Sequence, residues 1–67
     1  MKEIIIDPEI LGGTPVFRGT RVPVKTLFDY LRGNETLAGF LDDFPTVNEA
    51  QAQAVLEAAE HSVEAAA

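Results

Sequence analysis

The sequence predicts a mainly α-helical domain, in which a small N-terminal β-strand and hairpin precede a bundle of three helices. Three observations support this: a β-branched run at residues 4–6, two apolar patterns of helical period, and an alanine-rich third segment. Sixty-seven residues make one domain at most. We expect residues 1–23 to form a β/loop arm, residues 24–63 the three helices and residues 64–67 a frayed tail.

The N-terminal arm begins with Ile4-Ile5-Ile6, a short strand that Asp7-Pro8 should end because proline restricts the residue before it and lacks an N–H. After a Gly/Pro-rich loop, Val16-Phe17 and Arg21-Val22 flank Arg18-Gly19-Thr20. Two short apolar segments around a glycine-containing turn are typical of a hairpin.

The first two helices show the same apolar spacing of i, i+3, i+4 and i+7. Gly33 is expected to stop the first helix, Asn34 to cap the second and Pro45 to end it. The residues on the two apolar faces are Val24, Leu27, Phe28 and Leu31, then Leu37, Phe40, Leu41 and Phe44.

The third helix should start at a capping box made by Thr46 and Glu49, which have the Thr-x-x-Glu spacing. Alanines give this segment high helix propensity, and they produce two apolar stripes on its surface. One stripe holds Val47, Ala50, Ala54 and Ala58. The other is a candidate homodimer interface and holds Ala52, Leu56, Ala59 and Val63.

Charge is divided unevenly along the chain. Residues 1–33 hold all five cations against four acids, whereas residues 34–67 hold seven acids and no lysine or arginine. Such an acidic half should attract basic partners and repel nucleic-acid phosphates. The absence of cysteine and of a long apolar run favours a soluble cytoplasmic protein with no membrane association.

Catalytic and metal-binding patterns are weak. His61 is the only histidine, adjacent Ser62 points elsewhere on a helix, and Asp42-Asp43 diverge by about 100°. Gly12-Gly13 lacks the Gly-Lys-Ser/Thr continuation of a phosphate loop. We therefore expect no enzymatic activity, no metal and no cofactor.

Two arginines of the predicted turn are the candidate recognition groups. The guanidinium forks of Arg18 and Arg21 could bind phosphates or carboxylates, or they could pair with local acids and fix the loop. The candidate partner-binding residues are Arg18, Gly19, Thr20 and Arg21. The candidate nucleic-acid-binding residues are Lys2, Arg18, Arg21 and Lys25, and the acids for local pairing are Asp7, Glu9 and Asp29.

Residues 7–24 read DPEILGGTPVFRGTRVPV, which resembles the signature of domain-of-unknown-function family 433. The similarity continues through Leu31-Arg32-Gly33, through residues 37–45 and through residues 54–59, and it covers roughly residues 3–60. The resemblance implies a small winged-helix or helix-turn-helix-like fold. For characterised relatives it implies a VapB-type antitoxin that neutralises a PIN-like ribonuclease toxin in a type II toxin–antitoxin system.

The resemblance also leaves open a helix-turn-helix DNA-binding protein that autoregulates its own operon. A recognition helix needs basic or amide side chains at its exposed start. The second helix instead offers Glu35, Asp42 and Asp43, and the third offers Asn48 and glutamines among glutamates. Operator DNA binding is therefore expected only of a homodimer, or of a complex whose other chain supplies positive charge.

Overall fold

The computed structural model describes residues 1–67 and confirms the predicted fold class. Strands β1 (Ile4–Ile5) and β2 (Val16–Phe17) precede helices α1 (Val24–Arg32), α2 (Leu37–Asp43) and α3 (Glu49–Ala66). A single 3₁₀ turn, Leu11–Gly13, lies between the strands. None of the helices combines the length and the apolarity that crossing a bilayer requires.

The two strands pair antiparallel, with Ile4 opposite Phe17 and Ile5 opposite Val16. The predicted hairpin is present, since the Phe17 N–H donates to the Val22 carbonyl at 3.0 Å. Its second arm makes only one bridge, between Val16 and Pro23. Because Pro23 has no N–H and α1 starts at the next residue, the ladder stops there.

The α1–α2 connection differs from its prediction. Asn34 adopts a left-handed φ of 67°, and the Glu35 N–H returns to the Tyr30 carbonyl at 3.0 Å, so Asn34 terminates α1 in a Schellman motif. The N-cap of α2 is Thr36, whose hydroxyl accepts from the Gly39 N–H at 2.9 Å. The assignment of Asn34 as the cap of α2 was therefore wrong.

Helix α3 starts with a capping box, but the pair that forms it lies two residues beyond the predicted one. The Asn48 side chain accepts from the Gln51 N–H at 2.8 Å, and the Gln51 side chain accepts from the Asn48 N–H at 3.1 Å. The helix then continues to Ala66. Residues 64–66 are helical, because alanines favour the helix without needing core contacts, and fraying of residues 64–67 stays a prediction.

The core lies where the hairpin meets the three helices. Phe17, Leu27 and Phe40 are fully buried, and Ala52 and Val55 bring α3 onto them. The rings of Phe17 and Phe40 lie 6.0 Å apart, and Tyr30 meets Phe40 edge-on at 5.5 Å. The hairpin is thus anchored through Phe17, and its turn stays at the surface.

Candidate interaction surface

The turn between β2 and α1 carries the candidate recognition residues. The Thr20 N–H donates to the Phe17 carbonyl at 3.0 Å, and Gly19 has a φ of 80° at the third position of the turn. A positive φ at this position is typical of a type II turn and favours glycine. Gly19 therefore shapes the loop through its backbone and has no side chain to offer a partner.

Thr20 is almost fully buried, with 9% of its surface exposed. Its hydroxyl donates to the Phe17 carbonyl at 2.8 Å and accepts from the Val22 N–H at 3.0 Å. Both functions of the hydroxyl are thereby used within the hairpin. Thr20 holds the turn closed and presents little of itself to the surface.

Arg18 is bound to the backbone of the N-terminal segment. Its Nε donates to the Lys2 carbonyl at 2.7 Å, and its Nη2 donates to the Ile4 carbonyl at 3.4 Å. The backbone N–H of Arg18 also donates to the Glu3 carbonyl at 2.9 Å. Arg18 therefore fixes the arm through backbone carbonyl groups, whereas the interpretation from the sequence paired it with a local acid.

Gln51 ties α3 to the same turn. Its Nε2 donates to the Arg18 carbonyl at 3.0 Å, while its Oε1 accepts from the Asn48 N–H. One side chain thus caps α3 and holds a residue 33 positions earlier in the chain. Sequence reasoning missed this contact. The only signal was a glutamine two residues past Glu49, the first residue of α3, and this glutamine alone does not indicate its partner.

Arg21 is exposed and makes no hydrogen bond or ion pair within the chain. It lies at the edge of an open groove of about 560 Å³. Three of its seven lining residues are apolar and come from the arm and hairpin, and Thr46 contributes from the segment before α3. The residues that line this groove are Ile5, Ile10, Gly19, Thr20, Arg21, Val22 and Thr46.

The four candidate nucleic-acid-binding residues differ in availability. Lys25 forms an exposed ion pair with Asp29, with Nζ 2.9 Å from Oδ2, and such i,i+4 pairs contribute only about 0.3–0.5 kcal/mol. Arg18 is held by backbone carbonyls. Lys2 and Arg21 remain as the unpaired cations of the set, so one chain offers few groups that could reach phosphates.

The apolar stripe of α3 that was predicted as a dimer interface divides between the core and the surface. Ala52 is fully buried within the chain, and Leu56 and Ala59 are half-buried. Val63 is 70% exposed. Only the C-terminal part of the stripe is therefore open to a second molecule. Val55, which neither predicted stripe included, is buried instead.

Tyr30 and Asp43 join α1 to α2 at the surface. The Tyr30 hydroxyl donates to Asp43 Oδ2 at 2.6 Å. This hydrogen bond raises the pKa of Tyr30 above its ordinary value of 10.0, and desolvation and the negative charges of Asp43 and Glu35 raise it further. Asp43 thus serves a structural contact between helices, whereas its neighbour Asp42 is simply exposed.

His61 lies on the exposed outer side of α3 between two glutamates. Its Nε2 is 3.8 Å from Glu57 and its Nδ1 is 4.0 Å from Glu64, and all three side chains are about 70% exposed. These are long contacts on one helix face. They add to the acidic character of the second half of the chain. Neither contact involves a residue outside α3.

The chain is similar in sequence to a known protein family and to one of its relatives. The sequence profile of the family described as "Protein of unknown function (DUF433)" matches residues 4–58. The chain is 40% identical over 48 residues to "Uncharacterized protein y4eO" of Sinorhizobium fredii (strain NBRC 101917 / NGR234). That alignment covers 70% of this chain but only 22% of the relative, and no solved structure matches the chain. The match over residues 4–58 shows that this chain belongs to the DUF433 family.

Proposed function

We propose that this chain is the antitoxin of a bacterial type II toxin–antitoxin pair, and that it binds and neutralises a PIN-like ribonuclease toxin in the cytoplasm. It acts by binding and has no catalytic role. The proposal joins the resemblance to antitoxins of this family with the distribution of charge over the folded chain. The resemblance supports a toxin as the partner, and the charge distribution supports a partner of basic character.

The charge of the helical half is the observation that carries the proposal. From residue 34 onward the chain holds seven acids and no lysine or arginine. Ala59 is the last half-buried residue of helix α3. Every residue from Glu60 to Ala66 is exposed. Glu57, Glu60 and Glu64 therefore stand on an accessible acidic helix. Complementary charge of this kind speeds association with a basic protein and suppresses wrong partners.

Arg21 supplies a positively charged contact, in addition to the negative charges of α3. A PIN-like nuclease has a carboxylate-rich active site, and an arginine fork forms short charge-assisted hydrogen bonds to carboxylates. Of the two arginines in the turn, Arg21 has the free guanidinium and Arg18 supports the backbone beneath it. We assign recognition to Arg21 and positioning to Arg18, Thr20 and Gln51.

The test is inhibition of RNA cleavage by a PIN-like ribonuclease from the same host, titrated with the purified full chain. We expect inhibition to saturate at a fixed stoichiometry and to weaken with salt. Arg21→Ala should raise the inhibitory concentration on the order of tenfold or more, as expected for a charge-assisted contact. Arg32→Ala is the matched control, because Arg32 is exposed at the end of α1 and has no ion pair.

Two results would contradict the proposal. One is unchanged cleavage at a large excess of the chain. The other is equal loss of inhibition in the Arg21 and Arg32 variants, since that would leave only nonspecific charge. Circular dichroism of each variant ensures that the comparison is made between folded proteins.

A second proposed function is autoregulation by DNA binding as a homodimer. It is favoured by the presence of every cation within residues 1–32 and by the short connection at residues 44–48 between α2 and α3. Two-fold symmetry would double the few basic groups. Fluorescence anisotropy with DNA from the chain's own promoter tests this, with and without the toxin. Binding that is equal for promoter and unrelated DNA would exclude sequence-specific regulation.

A further inference from the structure

We propose that the groove beside Arg21 binds the C-terminal end of α3 from a second copy of this chain. In this arrangement Val63 enters the apolar part of the groove, and Glu60 pairs with Arg21. The inference concerns self-association and involves Arg21 and the acidic end of α3, which the proposed toxin contact also uses, so it is tested in the absence of toxin. It rests on the chemistry of the groove, on the exposed end of α3 and on the distance between them.

The groove combines apolar side chains with a cation at its edge. Ile5, Ile10 and Val22 contribute apolar side chains, and the Arg21 guanidinium has no partner within the chain. An apolar patch rimmed by polar residues is typical of an interaction site. A suitable ligand offers an apolar group next to a carboxylate.

The end of α3 has this chemistry. Val63 is the most exposed large apolar side chain of the molecule, at 70%. Glu60 lies three residues before Val63 and close to it on the helix surface, whereas Glu64, the next residue, lies about 100° around the helix. The seven residues from 60 to 66 extend about 10 Å past the last half-buried residue, at 1.5 Å per residue. This segment therefore projects far enough to enter a neighbouring molecule.

The helix cannot fill the groove of its own chain. Thr46 lines the groove three residues before α3 begins at Glu49, and Val63 lies 14 residues further along one continuous helix. That separation is about 21 Å along the helix axis. The occupant must therefore come from another molecule.

Charge complementarity and symmetry favour a second copy as the occupant. The half of the chain that forms most of the groove holds all the cations, and the half that contains α3 holds none. Under a two-fold axis, the α3 end of each protomer enters the groove of its partner, so every contact forms twice. Such an exchange also protects the end of a helix that has no core contacts of its own.

The first experiment measures the mass of the full chain by sedimentation equilibrium over a range of concentrations, in the absence of toxin and DNA. We expect a monomer–dimer equilibrium that shifts toward monomer as salt increases. Val63→Asp should raise the dimer dissociation constant by about tenfold or more, the loss expected for one buried valine. Val63 is exposed in the monomer, so this variant keeps the fold, and circular dichroism verifies that it does.

Charge exchange identifies the ion pair. Arg21→Glu should weaken the dimer, and combining it with Glu60→Arg should restore it. Combining Arg21→Glu with Asp42→Arg is the matched control, since it makes the same change of net charge on α2 and should restore nothing. Arg32→Glu, away from the groove, should leave the dimer constant unchanged.

Crosslinking gives an independent measurement, because the chain contains no cysteine. A Thr46→Cys chain and a Val63→Cys chain carrying different tags are mixed and mildly oxidised. We expect the mixed disulfide to exceed the product of Thr46→Cys with a Leu31→Cys chain. A chain that is monomeric at every concentration overturns the proposal. So does a dimer that is unaffected by Val63→Asp and by Arg21→Glu, because its interface would then lie elsewhere.

Discussion

Replacement of Thr20 by valine tests whether this residue supports the turn or contacts a partner. Valine has nearly the same shape but lacks the hydroxyl, so the hydrogen bonds to the Phe17 carbonyl and from the Val22 N–H are lost. The Phe17 carbonyl still accepts from the Thr20 N–H, whereas the Val22 N–H is left without its partner. The net contribution of each hydrogen bond is about 1 kcal/mol, and an unsatisfied buried N–H costs about 1–3 kcal/mol.

We therefore expect Thr20→Val to lower the free energy of unfolding by about 2–3 kcal/mol. A domain of this size has a total stability of roughly 3–10 kcal/mol, so the loss is a large fraction of it. Urea titration followed by circular dichroism at 222 nm measures the change. Thr20→Ser is the control, since it retains the hydroxyl and should cost less than about 1 kcal/mol.

A Thr20→Val protein within about 0.5 kcal/mol of the parent, the range of an ordinary surface substitution, would refute the structural role. If that variant also lost toxin inhibition, the hydroxyl would belong to a recognition surface. If instead it is destabilised while Arg21→Ala is not, the division between a supporting Thr20 and a recognising Arg21 holds. The pair of variants thus separates folding from binding.

Two further predictions concern the helix connections. Spectrophotometric titration of Tyr30, the only tyrosine, should give a pKa above 10.0 that falls toward this value in Asp43→Asn; an unchanged pKa would contradict the hydrogen bond. Because the folded state retains this proton more strongly, the associated stability is present below pH 10 and is lost as the pH rises through the raised pKa, and Tyr30→Phe should remove that loss. Asn34→Ala should destabilise the domain by about 1 kcal/mol in urea titration because alanine tolerates a φ of 67° poorly, whereas Asn34→Gly should not.

Patterns that repeat along the sequence predicted most of the fold. The apolar spacing of residues 24–31 and 37–44 specifies α1 and α2, because a helix must place one apolar face on the core. The proline and glycine around the hairpin likewise mark its turn. Cap positions were less certain, because each connection contains two residues able to cap. Asn34 competes with Thr36, and Thr46 competes with Asn48.

The contacts that organise the candidate surface could not be read from the sequence. Arg18, Thr20 and Arg21 lie within four residues of one another, yet one binds backbone carbonyls, one is buried and one is free. Their environments depend on β1 and on Gln51, which are distant along the chain. Residue type limits what each side chain can do, but only the folded arrangement decides which of those capacities is already used.

The position of the Arg18 side chain also affects how this protein resists aggregation. Ile4-Ile5-Ile6 is a β-branched apolar run on the outer strand of a two-stranded sheet, and exposed edges of this kind add further strands. The Lys2 and Ile4 carbonyls, which a foreign strand would use as acceptors, are both engaged by the Arg18 guanidinium. A positive charge held along the strand also discourages stacking of identical copies. We therefore expect Arg18 to oppose the addition of a further strand to the Ile4-Ile5-Ile6 segment.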